Sequence, residues 1–100
     1  MKTVVVGGGE VGYSVAGTLS EEGHDVTVVE EDEERAEKLN DELDVITVRG
    51  SGARPQVLEK AGVFPGCDVD ILVACTDRDE VNILACWIAK RAGVERVISR

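Results

Sequence analysis

The residues with the clearest chemical potential are three glycines near the start of the chain. Gly7, Gly9 and Gly12 have the spacing GxGxxG and directly follow the apolar run 4–6. A helical pattern comes next, and an acid, Glu30, closes a second apolar run 18 residues after Gly12. A strand, a glycine turn, a helix and a strand ending in an acid form the context in which such glycines bind the pyrophosphate of a dinucleotide. The alternative is a glycine turn that only packs a helix on a strand.

Each glycine has a mechanical role in the first interpretation. Gly7 lets the chain turn out of the strand, Gly9 leaves no Cβ between backbone and pyrophosphate, and Gly12 lets the helix lie close to the sheet. The unpaired N–H groups of the first helical turn then point at the phosphates, assisted by the helix dipole. The predicted phosphate-binding residues are therefore Gly7, Gly8, Gly9, Glu10, Val11 and Gly12.

Glu30 is predicted to accept hydrogen bonds from the hydroxyls of an adenosine ribose. A 2′-phosphate there would face Glu30, Glu31 and Asp32 with no nearby arginine, and like-charge repulsion then disfavours NADP. NAD, NADH and ATP present the same adenosine to this acid, so the choice among them stays open.

The elements that must position these residues alternate regularly. The predicted strands are Thr3–Val6, Asp25–Glu30, Val45–Val48, Val69–Ala74 and Arg96–Ser99, and helices begin near Glu10, Glu33, Pro55 and Arg78. Short links between alternating strands and helices imply right-handed crossovers and a parallel sheet between two helix layers. We therefore predict a single domain over residues 1–100, a Rossmann-type doubly wound α/β fold with strand order 3-2-1-4-5.

Periodicity and composition also predict which helical residues are buried and how the helices begin. The first helix should turn Val11, Val15 and Leu19 inward, and the last should present Val81, Leu84, Ala85, Ile88 and Ala89 on one apolar face. Asp32 is a predicted N-cap of the second helix, and Thr76, Asp77 or Asp79 of the last.

In such a sheet a ligand lies across the carboxyl ends of the strands. Besides the glycine turn and Glu30, this edge receives Ser51, Thr76, Asp77 and Arg100. Ser51, between two glycines, leaves room for a flat adenine, Thr76 is placed to bond the second phosphate or ribose, and Arg100 can pair with a phosphate. For Thr76 and Asp77, simple helix capping is an equal alternative, compatible with ligand contact.

Composition narrows the function further. The net charge of −9 opposes binding to nucleic acid or anionic lipid. The spacing of Cys67, Cys75 and Cys86 matches neither a CxxC motif nor a zinc site, and no metal is expected.

We expect no His, Cys or Lys at the ligand edge to act as acid, base or nucleophile, so the residues favour binding without catalysis. No apolar run is long enough to span a membrane, which predicts a soluble, cytoplasmic protein.

Nearly the whole chain resembles the RCK N-terminal (TrkA-N) domain of Trk-type potassium-uptake systems and K⁺ channels. The resemblance is carried by VVVGGGEVGYSVAGTLSEEGHDVTVVEED, by RGSGARPQVLEKAG and, most specifically, by DILVACTDRDEVNILACWIAKRAGVERVISR. It implies binding of NAD(H) or an adenine nucleotide (ATP, ADP or AMP). It also implies association as a homo-oligomer and control of a potassium transporter or channel subunit in the membrane. The family's ligand positions fall on Gly7 to Val11, Glu30, Ser51, Thr76, Asp77 and Arg100. The family's domain continues into a sixth strand and a helix, which this chain is expected to lack.

The leading hypothesis is thus a non-catalytic, NAD(H)-binding regulatory domain for potassium transport, on the cytoplasmic side of its membrane partner. The alternative from the enzyme class is the cofactor-binding half of an NAD-dependent oxidoreductase. A Rossmann-type fragment that binds nothing is the third possibility.

Overall fold

Strands and helices alternate strictly along the chain. The computed structural model describes all residues, 1–100. It contains the strands β1 (Lys2–Val6), β2 (Asp25–Glu30), β3 (Ile46–Arg49), β4 (Ile71–Ala74) and β5 (Arg96–Ser99), and the helices α1 (Glu10–Glu21), α2 (Glu33–Glu42), α3 (Pro55–Lys60) and α4 (Asp79–Arg91).

The five strands form one parallel sheet in the order β3-β2-β1-β4-β5, as the sequence predicts. In the register, Val6 at the end of β1 lies opposite Val29 of β2 and Ala74 of β4. Glu30 at the end of β2 lies opposite Arg49 of β3. Because all strands run the same way, their carboxyl ends meet at one edge, and the chain order reverses between β1 and β4.

Alternating residues of the central strand serve two cores, one on each face of the sheet. Val4 and Val6 belong to the larger core with Leu58 of α3 and Ala85 of α4. Val5 belongs to the smaller core, which contains Ala16 of α1 and Leu39 of α2. Both faces of β1 are therefore covered by helices, which explains its continuous apolar sequence.

Three of the strands have bounds that differ from prediction, and the first of these, β1, begins one residue early, at Lys2. β3 begins and ends one residue later than predicted, at Ile46 and Arg49, and β4 begins at Ile71 rather than Val69. Asp70 is tied to the start of β1 instead: its N–H donates to Lys2 O at 2.9 Å, and its Oδ2 accepts from Lys2 N–H at 2.8 Å. The buried Val69 lies before β4 and outside the strand pairing, but it still packs in the larger core.

Two of the predicted inward-facing residues are exposed. Val11 is 43% exposed because the first turn of α1 begins beyond the carboxyl end of β1, where no strand lies beneath it. Leu84 is 44% exposed, while the polar Asn82 takes a buried position on α4.

The N-cap prediction is right for α2, where Asp32 accepts from Arg35 N–H at 3.0 Å. It is wrong for α4, whose N-cap is Arg78, without a side-chain capping bond.

Candidate functional site

A cleft of about 640 Å³ lies along the carboxyl ends of the strands. All but two of the predicted ligand-binding residues line it: Gly7, Gly9, Glu10, Val11, Glu30, Ser51, Thr76, Asp77 and Arg100. The two others, Gly8 and Gly12, are buried behind the surface of the cleft and support it from within. The structure therefore brings residues from four loops and the end of β5 to one site.

Backbone atoms leave no room for a side chain at two positions of the glycine turn. Gly7 has a φ of +104°, and a Cβ there would lie 3.0 Å from the backbone nitrogen of Thr76. A Cβ on Gly12 would overlap the carbonyl oxygen of Gly7, so α1 lies directly against the turn. Gly9 is different, because its Cβ would meet only the guanidinium of Arg35, at 3.6 Å or more. Gly9 thus keeps open a space that a ligand can approach closely.

The N-terminus of α1 leaves backbone donors free at this turn. Gly9 is the N-cap residue and has no side chain to cap the helix. The first backbone hydrogen bond of the helix runs from Tyr13 N–H to Gly9 O at 2.8 Å. The N–H groups of residues 10–12 consequently have no acceptor within the helix, and with the helix dipole they favour an anion.

Glu30 is buried, and both of its carboxylate oxygens already accept hydrogen bonds from the backbone. Oε1 accepts from Gly8 N–H at 2.6 Å, and Oε2 accepts from Asp32 N–H at 2.7 Å. The acid therefore fixes the glycine turn to the end of β2. A carboxylate has about four acceptor positions, so two remain for hydroxyl groups of a ligand.

The loop after β4 is held by a side chain that the sequence analysis did not select. Asn82, 2% exposed, accepts from Thr76 N–H at 3.0 Å and from Thr76 Oγ1 at 2.7 Å. Its Nδ2 donates back to Thr76 O at 3.1 Å. Thr76 Oγ1 also accepts from Arg78 N–H at 3.2 Å. Asn82 thus fixes Thr76 against Gly7. Its signals in the sequence were its place in an otherwise apolar stretch of α4 and its position in the last block of the family resemblance.

Arginines line the cleft where the sequence analysis expected none apart from Arg100. Arg35, on the first turn of α2, lines it beside Gly9, so the premise that no arginine lies near Glu30 to Asp32 is wrong. Arg78 also lines the cleft, but its Nε is paired with Glu80 Oε1 at 2.8 Å. A backbone hydrogen bond at the start of α4 and this ion pair lower the pKa of Glu80.

A cysteine also lies at the cleft, contrary to expectation. Cys75 is 5% exposed, and its sulfur lies 3.9 Å from the carbonyl oxygen of Gly7. Burial raises the pKa of this thiol, and the positive charge of Arg100 only partly opposes that effect. A thiol held in its protonated form is a weak nucleophile. Cys75 therefore acts as part of the floor beneath the glycine turn.

The arrangement fits the phosphate and ribose groups of a nucleotide. Free N–H groups and the open space at Gly9 suit an anionic group, and the remaining acceptor positions of Glu30 suit ribose hydroxyls. On the opposite wall, Gly52 fits so tightly that a Cβ there would overlap Val6. Ser51 Oγ beside it accepts from Ala53 N–H at 3.2 Å and can still donate its own proton.

Fold and cleft together define a Rossmann-type α/β domain. The TrkA-N domain family matches residues 3–100, and this chain belongs to that family.

Two relatives are "Trk system potassium uptake protein TrkA homolog 2" of Methanosarcina mazei and "Trk system potassium uptake protein TrkA" of Halomonas elongata. The first is 56% identical over 90 residues, which are 90% of this chain and 19% of the relative. The second is 44% identical over 89 residues, which are 89% of this chain and 19% of the relative. The chain therefore spans about a fifth of the length of these relatives.

Two solved structures share the fold. "Shewanella denitrificans Kef CTD in AMP bound form" has a TM-score of 0.80 at 20% identity, covering 100% of this chain and 58% of that one. The NAD(P)-binding domain of an exopolyphosphatase-related protein from Archaeoglobus fulgidus has a TM-score of 0.81 at 19% identity, covering 98% of this chain and 71% of that one. Among the helices of this chain, none combines the length and the apolar character that a membrane crossing requires.

Proposed function

We propose that this chain is an NAD(H)-binding regulatory domain that controls potassium uptake or conductance through a membrane transporter or channel. The observation that carries the proposal is the buried carboxylate of Glu30, fixed beside an open glycine turn at the carboxyl edge of the sheet. Names of the relatives, which are potassium uptake proteins, support the transport role.

Different residues of the cleft are proposed to contact different parts of the nucleotide. The N–H groups of the first turn of α1 bind the pyrophosphate, and Glu30 accepts from the adenosine ribose. Ser51 borders the adenine, while Thr76, Asp77 and Arg100 border the second phosphate and ribose. The relatives are named as potassium uptake proteins, which favours NAD(H) as a bound regulator and not as a reactant. We therefore propose binding without catalysis, with ATP, ADP and AMP as alternative ligands that present the same adenosine.

Regulation then follows from a shift between conformational states. A ligand that binds one arrangement of domains better than another stabilises that arrangement by the difference in binding free energy. The transporter or channel subunit is the proposed partner, and we propose that this domain lies on the cytoplasmic side of the membrane. Self-association in the full-length protein is part of the proposal. It is supported by the exposed apolar side chains Ile83 and Trp87 on α4 and Ile98 on β5.

Calorimetric titration of this chain with NADH, NAD, ATP, ADP, AMP and NADPH tests the binding proposal. Glu30→Gln keeps the size of the side chain but removes the charge, and we expect it to weaken NADH binding about tenfold, since hydrogen bonds to charged groups contribute about 1.5–3 kcal/mol. Glu37→Gln is the matched control, because it removes the same charge from an exposed residue that does not line the cleft. Failure of all six nucleotides to bind would refute the proposal. Equal NADH affinity in the Glu30→Gln variant would refute the ribose assignment alone.

The regulatory part requires the full-length protein. Potassium flux through the transporter, reconstituted with that protein in vesicles, should change when NADH is added, and the change should be lost with Glu30→Gln. A steady oxidation of NADH by the protein, with dissolved oxygen or an added electron acceptor as the oxidant, would instead support the oxidoreductase alternative.

A further inference from the structure

The guanidinium of Arg35 lies at the entrance to the glycine turn and has no function in the fold that the structure reveals. We infer that Arg35 binds the phosphate seated at the glycine turn, and that it selects adenine nucleotides with two or more phosphates over AMP and adenosine. This inference rests on the proposed nucleotide-binding function and assigns a specificity-determining residue within that site.

The charge of the cleft favours such a cation. Its lining contains five carboxylates and three arginines: Glu10, Glu30, Glu31, Asp32 and Asp77, and Arg35, Arg78 and Arg100. A pyrophosphate therefore enters a negatively charged cleft on a chain of net charge −9. The dipole of α1 offers only about half an elementary charge at its N-terminus, which one diphosphate exceeds several times. The arginines of the lining are the side chains that can balance the rest.

Among these arginines, Arg35 is both free and correctly placed. Arg78 is already paired with Glu80, and the ligand would have to compete with that carboxylate. Arg35 makes no ion pair, although five acidic residues directly precede it. Its guanidinium makes no hydrogen bond, and only its backbone N–H is bonded to a side chain, that of Asp32. An arginine that avoids so many neighbouring carboxylates is available to an external anion. Arg100 is also unpaired, but it approaches from the end of β5, on the side of Cys75.

Helix geometry explains why the side chain reaches the glycine turn. Side chains on an α-helix lean toward its N-terminus, and Arg35 is the third residue of α2, so its side chain leans back over the end of β2 toward the cleft. Its Nη1 lies 3.6 Å from the position that a Cβ of Gly9 would occupy. A phosphate seated at Gly9 would thus lie between the free N–H groups of α1 and a guanidinium, which binds phosphate through two parallel hydrogen bonds.

Lys38, three residues further along α2, provides a matched control. It carries the same charge on the same helix, but its Nζ lies 5.0 Å from the centre of the Tyr13 ring and not over the glycine turn. Both side chains are exposed, so neither substitution should disturb the core.

The test is titration of wild type, Arg35→Gln, Arg35→Lys and Lys38→Gln with adenosine, AMP, ADP, NADH and NADPH. We expect Arg35→Gln to weaken ADP and NADH binding about tenfold to a hundredfold and to change adenosine binding by less than about twofold. Arg35→Lys should fall between, because it keeps the charge but loses the paired geometry. Lys38→Gln should stay within about threefold of wild type for every ligand, and all variants should keep the wild-type melting temperature.

Several results would overturn the inference. An equal loss for adenosine and ADP would place Arg35 on the adenine, and a loss confined to NADPH would place it on a 2′-phosphate. An equal loss of ADP and NADH affinity in Lys38→Gln would show that any positive charge on α2 has this effect, whatever its position. If wild type binds ADP and NADH and Arg35→Gln binds them equally well, this inference fails while the proposed function stands. If wild type binds no nucleotide, both fail.

Discussion

The carboxylate of Glu30 and the backbone N–H of Gly8 are joined by a 2.6 Å hydrogen bond, which connects the end of β2 to the glycine turn after β1. The residue selected from the sequence as a ligand contact is therefore also a structural support of the turn. Removing its side chain should affect folding as well as binding.

Glu30→Ala should lower the free energy of unfolding by about 2–4 kcal/mol, because the N–H groups of Gly8 and Asp32 both lose their acceptor. Glu30→Gln should cost less, since one oxygen remains to accept. Urea denaturation of both variants measures the difference, with the exposed Glu31→Gln as control. Wild-type stability in Glu30→Ala would show that the carboxylate does not support the turn.

The glycines at positions 9 and 12 should respond in opposite ways to a single added methyl group. Gly12→Ala should destabilise the chain by about 3 kcal/mol or more, because its Cβ would overlap Gly7 O and force α1 away from the turn. Gly9 has a φ of −71° and open space beside it, so Gly9→Ala should change stability by less than about 1 kcal/mol. Its effect should be on binding, with NADH affinity lowered about tenfold, because the methyl group occupies the approach of the pyrophosphate.

Thermal denaturation and NADH titration of the two glycine variants separate packing from binding. A Gly12→Ala variant with the wild-type melting temperature would contradict the packing role. A Gly9→Ala variant with wild-type NADH affinity would show that no ligand approaches this backbone.

The strand order and most of the candidate site could be predicted because they depend on local signals. Apolar runs mark the buried strands, and the parallel alternation then brings Glu30, Ser51 and Thr76 to the same edge of the sheet. Their collection in one cleft is confirmed. Their contacts with a ligand stay a prediction.

The remaining residues could not be predicted, because their roles depend on distances across the fold. Arg35 reads in the sequence as one more charge on an exposed acidic helix, and only the packing of α2 beside α1 brings it to Gly9. Cys75 follows an apolar strand and reads as core, yet it also forms the floor of the cleft. Val11 fits the helical spacing of the buried residues of α1, but it lies in the first turn of that helix, which begins beyond the end of the sheet. Periodicity gives direction around a helix axis and does not show where the neighbouring layer ends.

Asn82 should be the most sensitive polar residue of α4. Asn82→Ala removes three hydrogen bonds to Thr76 and leaves the partly buried N–H of Thr76 without an acceptor, so we expect a loss of about 2–3 kcal/mol. Because Thr76 packs on Gly7, nucleotide affinity should fall as well. Ile83→Ala, at the exposed neighbouring position, should change stability by less than about 0.5 kcal/mol.

Hydrogen exchange of the Thr76 amide gives a direct measurement of this arrangement. It should be protected in the wild-type chain and in Ile83→Ala, and it should exchange faster in Asn82→Ala by more than the global loss of stability accounts for. Unchanged protection in Asn82→Ala would mean that the loop is held by other contacts.

Thr3 should be a position where the wild-type residue is less stable than its apolar counterpart. It is completely buried in β1, and its Oγ1 has no hydrogen-bond partner. Thr3→Val keeps the branched shape and removes the unsatisfied hydroxyl, so it should raise the free energy of unfolding by about 1 kcal/mol and the melting temperature by about 4–8 °C. The reverse substitution two residues along the same face, Val5→Thr, buries a hydroxyl at another fully buried position and should lower stability by about 1–3 kcal/mol. Denaturant titration of both variants decides the point. If Thr3→Val destabilises the chain, its hydroxyl has a partner, such as a buried water, and the cost assigned to it here is wrong.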